Sequence, residues 1–251
     1  MSRIWYMKVI FLNCCYGLKF KELAKFLKEC SKEVDVFCLQ ETEPNLNKKI
    51  ADELPNYEQY YTDVKTKLKS IPKYGQTILL NKDKDLSVTS YNIVEIFKNR
   101  FPNYGFMQTI SLFKGSKKYL IANLHGRSQP GHKMDTLARL NQSKNIINTL
   151  SSYTSYDIVL GGDFNLDPKT KSIKKIVDAG FRDLVKEYSI KTTRNKLAWS
   201  ISKKRYAKHA KYYGKQLFAD YCFISDKTSV NSFEVPNILV SDHLPLIIDL
   251  N

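Results

Sequence analysis

Eight side chains in this 251-residue chain have the types and placement to surround a hard cation: Asn13, Glu41, His125, Asp163, Asn165, Asp220, Asp242 and His243. Each stands where an apolar run stops or starts. Asn13 follows Val9-Ile10-Phe11-Leu12, and Gln40-Glu41 follows Val34–Leu39. His125 closes 118–124, and Asp163 and Asn165 lie in Gly161-Gly162-Asp163-Phe164-Asn165. Asp220 sits inside Phe218–Ile224, and Ser241-Asp242-His243 opens Pro245–Leu250. Carboxylates and amides at the ends of buried strands are costly unless paired, hydrogen-bonded or bound to a cation. The set is rich in oxygen and poor in sulfur, which suits a hard cation such as Mg²⁺ or Mn²⁺. Singly, each residue also fits a bland role: Asn13 or Asp242 in a turn, Glu41 in a helix first turn, Asp163-Phe164-Asn165 as an Asx turn, His243 in the core. Their joint occurrence at strand ends favours the chemical reading.

The elements that must position them follow from periodicity. Residues 4–13 read as a strand, and Val34–Leu39 as a buried one. In 19–31, Leu23, Phe26, Leu27 and Cys30 form a helical stripe. The middle offers strands at Gln76–Asn81, Ser87–Phe97, Gly105–Phe113 and Lys118–Leu124. A helix is predicted over 135–151 with Asp135 as N-cap. Tyr156–Gly161 reads as another buried strand, and a short helix around Ile173, Ile176 and Val177 ends at Gly180. Three late strands are Phe218–Ile224, Val230–Val235 and Pro245–Leu250. Strands and helices alternate at both ends of a β-rich middle, so two packed sheets with helices outside would bury them. No linker or repeat divides the chain, and residues 1–251 are expected to be one domain.

Composition narrows the class. Hydrophobic residues make up 43% and charged residues 26%, which argues against a disordered chain. No apolar run approaches the roughly 18 residues that a membrane span needs, so no membrane insertion is expected. The apolar stretch Val9–Cys15 reads as a strand rather than a leader. Five cysteines, odd in number and without a CxxC, read as reduced thiols of a cytoplasmic protein rather than as a zinc site. Lys and Arg number 40 against 25 Asp and Glu, and the net charge of +15 points to a polyanionic partner. Lysine enrichment of the kind seen in AT-rich genomes also fits that balance.

The ordered set Asn13, Leu39-Gln40-Glu41, Leu124-His125, Gly162-Asp163-Phe164-Asn165, Asp220-Tyr221 and Ser241-Asp242-His243-Leu244-Pro245 closely resembles the endonuclease/exonuclease/phosphatase superfamily. The likeness runs from residue 8 to residue 250. It implies a four-layer α/β sandwich, two central mixed β-sheets flanked by helices, and metal-dependent hydrolysis of a phosphate ester. By the same resemblance, Glu41 is the principal metal ligand, with Asn13 nearby and Asp242 a further metal-associated carboxylate. Asp163 orients or deprotonates the attacking water, and Asn165 holds the phosphate. His243 contacts the scissile phosphate with Asp220 fixing its tautomer, and His125 matches the second histidine of the deoxyribonuclease-like branch.

Substrate is less legible. Between Lys186 and Lys215 ten Lys and Arg face one acid, Glu187, with Tyr188, Trp199, Tyr206, Tyr212 and Tyr213 interleaved. Basic side chains can follow a phosphate backbone while aromatics stack on bases; a solvated loop is the plain alternative. Tyr206, Lys208 and Tyr212 are taken as substrate contacts, together with Arg127 and Arg139, although Arg139 fits equally an anchor for its helix. A second basic stretch, Lys65 to Lys73, would form an opposite wall. The expectation is a monomeric Mg²⁺- or Mn²⁺-dependent nuclease or nucleic-acid phosphodiesterase acting on DNA or RNA. A phosphatase or phospholipase of the same superfamily, or a silent nucleic-acid-binding module, stands as the alternative.

Overall fold

The computed structural model of the chain describes residues 6–63, 75–97, 105–198, 200 and 216–251. Two six-stranded mixed sheets form its centre. Strand β1 (Met7–Asn13) shows why: Val9 and Phe11 point one way, Ile10 and Leu12 the other, and all four are buried. Such a strand needs cover on both faces. Strand β2 (Val36–Thr42) runs parallel beside it.

The first sheet runs β11 (Val230–Glu234), β12 (Leu246–Leu250), β1, β2, β4 (Gly75–Asn81) and β3 (Tyr57–Asp63). On its outer face α1 (Phe20–Cys30) and α2 (Pro44–Glu53) set Leu23, Leu27, Leu46 and Ile50 against Ile10, Leu12, Phe37 and Leu39. The second sheet runs β5 (Ser87–Glu95), β6 (Phe106–Lys114), β7 (Lys117–His125), β8 (Asp157–Asp163), β10 (Asp220–Ser225) and β9 (Phe181–Asp183). Helices α3 (Leu137–Leu150) and α4 (Lys171–Asp178), with the short α5 (Leu184–Glu187), belong to this half. Ile146 and Leu150 of α3 and Ile173 and Ile176 of α4 join one apolar cluster with both sheets. Burying each such Ile or Leu contributes about 1.5–3 kcal/mol of transfer free energy. The result is the four-layer α/β sandwich, helices outside and two sheets within. No helix among the described residues is long and apolar enough to cross a membrane.

The glycines before Asp163 serve the closeness of the sheets. A Cβ on Gly161 would stand 2.6 Å from the Phe11 ring of the facing sheet. Gly162 has φ +123° and would press a Cβ to 2.2 Å from the Leu124 carbonyl oxygen. Between the sheets, Gln40 Nε2 donates to Asn123 Oδ1 at 2.6 Å.

One cap differs from its expectation. The N-cap of α3 is Thr136, whose side chain accepts from the Arg139 N–H. Asp135 instead turns to α4, where its carboxylate accepts from the N–H groups of Lys171 and Ser172 and from Ser172 Oγ. It therefore ties the segment before α3 to the start of α4.

Candidate active site

The eight chemically suited residues arrive at one end of both sheets, and the strand register explains it. His125 is the partner of Asp163 across parallel β7 and β8, and Asp220 is its partner across antiparallel β10. Three acid–base side chains thus stand abreast at the rim of the second sheet. In the first sheet Asn13 pairs with Gln40. The next residue, Glu41, sits at a register shift with φ +53°. A bulge with an extra residue re-aims a side chain, and here it takes Glu41 out of the ladder. Cys15, Lys133 and Asn165 also have positive φ. Non-glycine residues in this region cluster at functional sites, where surrounding contacts hold them.

Asp163 is the hub. Its Oδ2 accepts from Asn13 Nδ2 at 3.1 Å, and its Oδ1 accepts from the Asn165 N–H at 2.8 Å. The Nε2 atoms of His125 and His243 each lie 3.8 Å from Oδ2. Burial alone would push this carboxyl up, but His243, Lys133, His125 and Arg194 together bring it down to about 2. His243 Nδ1 lies 2.8 Å from Asp220 Oδ2, which leaves Nε2 directed at Asp163. Burial and Arg194 favour neutral His243, yet Asp220, Asp242 and Asp163 prevail and hold its pKa above the ordinary value.

Glu41 has a different environment. Its Oε1 lies 3.6 Å from His125 Nε2, with its side chain 20% exposed. Burial, only partly offset by His125 and His243, raises its carboxyl. Glu41, His125 and Asp163 offer ligand atoms all within 4.8 Å of one another, as do Asp163, Asp220 and His243. A partly buried carboxylate held above its normal pKa beside a second carboxylate fits a divalent cation, which would reverse the penalty. The first group is thus the candidate metal site.

Asn13 and Asp242 are placed differently from a simple ligand set. Asn13 Oδ1 accepts from the Cys15 N–H while Nδ2 holds Asp163, so both ends of its amide are engaged. Asp242 Oδ2 accepts from Arg194 Nη2 at 2.8 Å, and Asp242 is in neither ligand group. Burial raises this carboxyl, but Arg194 and His243 outweigh it and lower the pKa.

Two buried cations were not singled out in the sequence. Lys133 Nζ donates to Asn165 Oδ1 at 2.7 Å, and Asn165 Nδ2 donates to the Gly126 carbonyl. Burial brings Lys133 down to about 8 against the pull of Asp163 and Asp220. Arg194 forms a β-bridge with His243 as well as its ion pair, and its buried Nε lacks a hydrogen bond. Only the run of basic residues from Lys186 onward carried a trace of Arg194.

Of the two arginines taken as substrate contacts, Arg139 has the anchoring role instead. Arg139 is fully buried, and its guanidinium donates to the carbonyls of Arg127, Ser128, Pro130 and Met134. It cannot meet a substrate; it holds the 127–134 loop that carries Lys133. Arg127 is half-buried, with Nε donating to the Gln129 carbonyl and its guanidinium 5.5 Å from the Phe97 ring centre. Tyr206, Lys208, Tyr212 and the stretch from Lys65 to Lys73 lie outside the described residues.

Comparison with known proteins places this geometry. The Endonuclease/Exonuclease/phosphatase family matches residues 12–243, and the chain belongs to it. It is therefore a phosphoesterase of that fold, with a buried Asp/His/Glu candidate metal site. Among solved structures it is similar to an endonuclease/exonuclease/phosphatase from Bacteroides vulgatus (18% identity, 98% of each chain, TM-score 0.74). It is similar also to a mannosyl-6-phosphatase of Bacteroides thetaiotaomicron (17% identity, 98% of this chain and 99% of the other, TM-score 0.74). A third is D. rerio TDP2 complexed with a single-strand DNA product (16% identity, 98% and 99%, TM-score 0.71). At these identities the likeness is one of fold. No curated protein matches the sequence.

Proposed function

We propose that this chain, as one catalytic unit, hydrolyses phosphodiester bonds of nucleic acid with Mg²⁺ or Mn²⁺. The observation that carries the reading is Asp163: an ionised, buried carboxylate 3.8 Å from two imidazole Nε2 atoms and grouped with Glu41. When bound, the cation neutralises phosphate charge and eases proton loss from the attacking water. Glu41, Asp163 and His125 would hold it. A carboxyl brought down to about 2 is a weak base, so Asp163 chiefly orients water and balances the surrounding cations. His243, favoured as imidazolium and fixed by Asp220, presents Nε2–H to a phosphate oxygen. Lys133 orients the Asn165 amide and adds positive charge to the same rim. The net charge of +15 supports a polyanionic substrate over a small neutral one.

Asp163→Asn keeps the shape and removes the charge. Its turnover of an oligonucleotide should fall by about 10²-fold or more. The assay compares bis(p-nitrophenyl) phosphate, p-nitrophenyl phosphate, and DNA and RNA oligonucleotides, each with Mg²⁺ and Mn²⁺. Cleavage of the monoester alone would replace the proposal with a phosphatase. Cleavage of lipid phosphoesters but no nucleic acid would replace it with a phospholipase.

A further inference from the structure

Beside the catalytic rim lies a cavity of about 670 Å³ whose lining includes Lys169, Lys171, Lys186, Lys191, Ile190 and Phe218. Three separate chain segments bring these side chains together, so the clustering belongs to the fold and not to one basic stretch. Lys174 also lines the cavity, but it is paired with Asp178. Asp183 is engaged as the cap of α5, accepting from the Lys186 N–H. Among the described residues, Lys169, Lys171, Lys186 and Lys191 have no ion-pair partner. The cavity therefore presents four lysines outside ion-pair reach of any acid among the described residues, with Asp178 and Asp183 the acids of its lining, around an apolar floor.

Its position follows from the register. Phe223 pairs with Asp183 and Ser225 with Phe181, so β9 runs toward the end of β10 that carries Asp220. Residues 184–191 thus emerge at the catalytic end of the sheet. Pro168 follows Asn165 by three residues, and Phe218 precedes Asp220 by two. Lys191 precedes Thr193 by two, and Thr193 Oγ1 accepts from the Asp220 N–H. Three residues along a strand and one strand across place Asp183 about 11 Å from Asp220. That distance is within reach of a strand whose scissile phosphate lies at Asp163.

We propose that this cavity is a strand-binding subsite, which takes single-stranded nucleic acid a few nucleotides from the scissile phosphate. The lysines would meet the phosphates, and Ile190 and Phe218 would pack against a base. This rests on the nucleic-acid reading given above and adds where the strand leaves the reaction centre.

The test is the triple variant Lys169→Ala/Lys171→Ala/Lys191→Ala, three exposed residues outside the catalytic set. Binding of a fluorescent 20-nucleotide single strand is followed by anisotropy in EDTA across a salt series. The wild type should bind, and the variant should bind about tenfold more weakly, with the salt slope reduced by about 2. Hydrolysis of bis(p-nitrophenyl) phosphate, which is too short to reach the cavity, should be unchanged. Unaltered affinity and slope in the variant, or no strand binding by the wild type at low salt, would overturn the subsite. So would loss of binding to phosphatidylserine vesicles in the variant with oligonucleotide binding intact. A wild type that binds through these lysines but cleaves no nucleic acid leaves the subsite standing and removes the nuclease reading instead.

Discussion

At the scale of single residues, the decisive feature is how many charges share so small a volume. Asp242 and Arg194 are both largely buried, and each is the other's nearest compensation. Removing one partner of such a pair strands the other without water. Arg194→Ala should therefore destabilise the protein by about 3–5 kcal/mol, read from urea unfolding. The double variant Arg194→Met/Asp242→Leu should recover most of that loss, because it removes both charges and keeps the volume. If the double variant is no more stable than the single one, the pair is not the source of the cost. A β-bridge also sets Arg194 beside the His243 backbone.

At the scale of elements, Asp135 shows one carboxylate serving a neighbouring helix. Burial raises this carboxyl, but the hydroxyl of Ser172 and the N–H groups of Lys171 and Ser172 outweigh it, and the pKa is lowered. Asp135→Ala should cost about 0.5–2 kcal/mol at neutral pH. The sign follows from linkage: the folded state holds this proton more weakly than the unfolded state. The contribution is then present above the unfolded pKa and lost as pH falls through the folded one. The wild-type and variant stabilities, measured by denaturant titration, should converge in acid; a constant gap would contradict the assignment. Sequence does not decide this cap, because Asp135 and Thr136 are adjacent and either suits an N-cap, whereas only the packed α3–α4 pair decides which helix each serves. The strands carrying Asn13, Glu41, His125 and Asp163 were legible since they are continuous apolar runs. Helix α2 escaped, its buried face being only Leu46 and Ile50 among polar residues. Strand β3 escaped for a related reason: Tyr57–Asp63 is a half-exposed edge with little alternation. Lys133 and Arg194 lie in loops, where no period announces a side chain, and their roles exist only once Asn165 and Asp242 are brought to them.

At the scale of the whole molecule, the candidate cation site lies on the seam between the two sheets. Glu41 comes from the first sheet, while His125 and Asp163 come from the second. A cation held by both would bind only the assembled sandwich, so it should stabilise folding by mass action. At a concentration 100 times its dissociation constant the gain is about 2.7 kcal/mol. The thermal midpoint should then rise as Mn²⁺ or Mg²⁺ is added and return with EDTA. Glu41→Gln separates this effect from nonspecific screening. It removes a partly buried carboxylate that nothing but His125 approaches within ion-pair reach among the described residues. Without added cation the variant should match or exceed the wild type in stability, and with cation it should gain nothing. Equal gains in both proteins would show that the ion acts elsewhere, for instance by screening the chain's acidic groups. A Glu41→Gln variant much less stable without cation would show that the carboxylate serves the fold itself. The expected pattern, a stability cost relieved only by the ligand, is that of a residue kept for function at the rim where the two packed sheets meet.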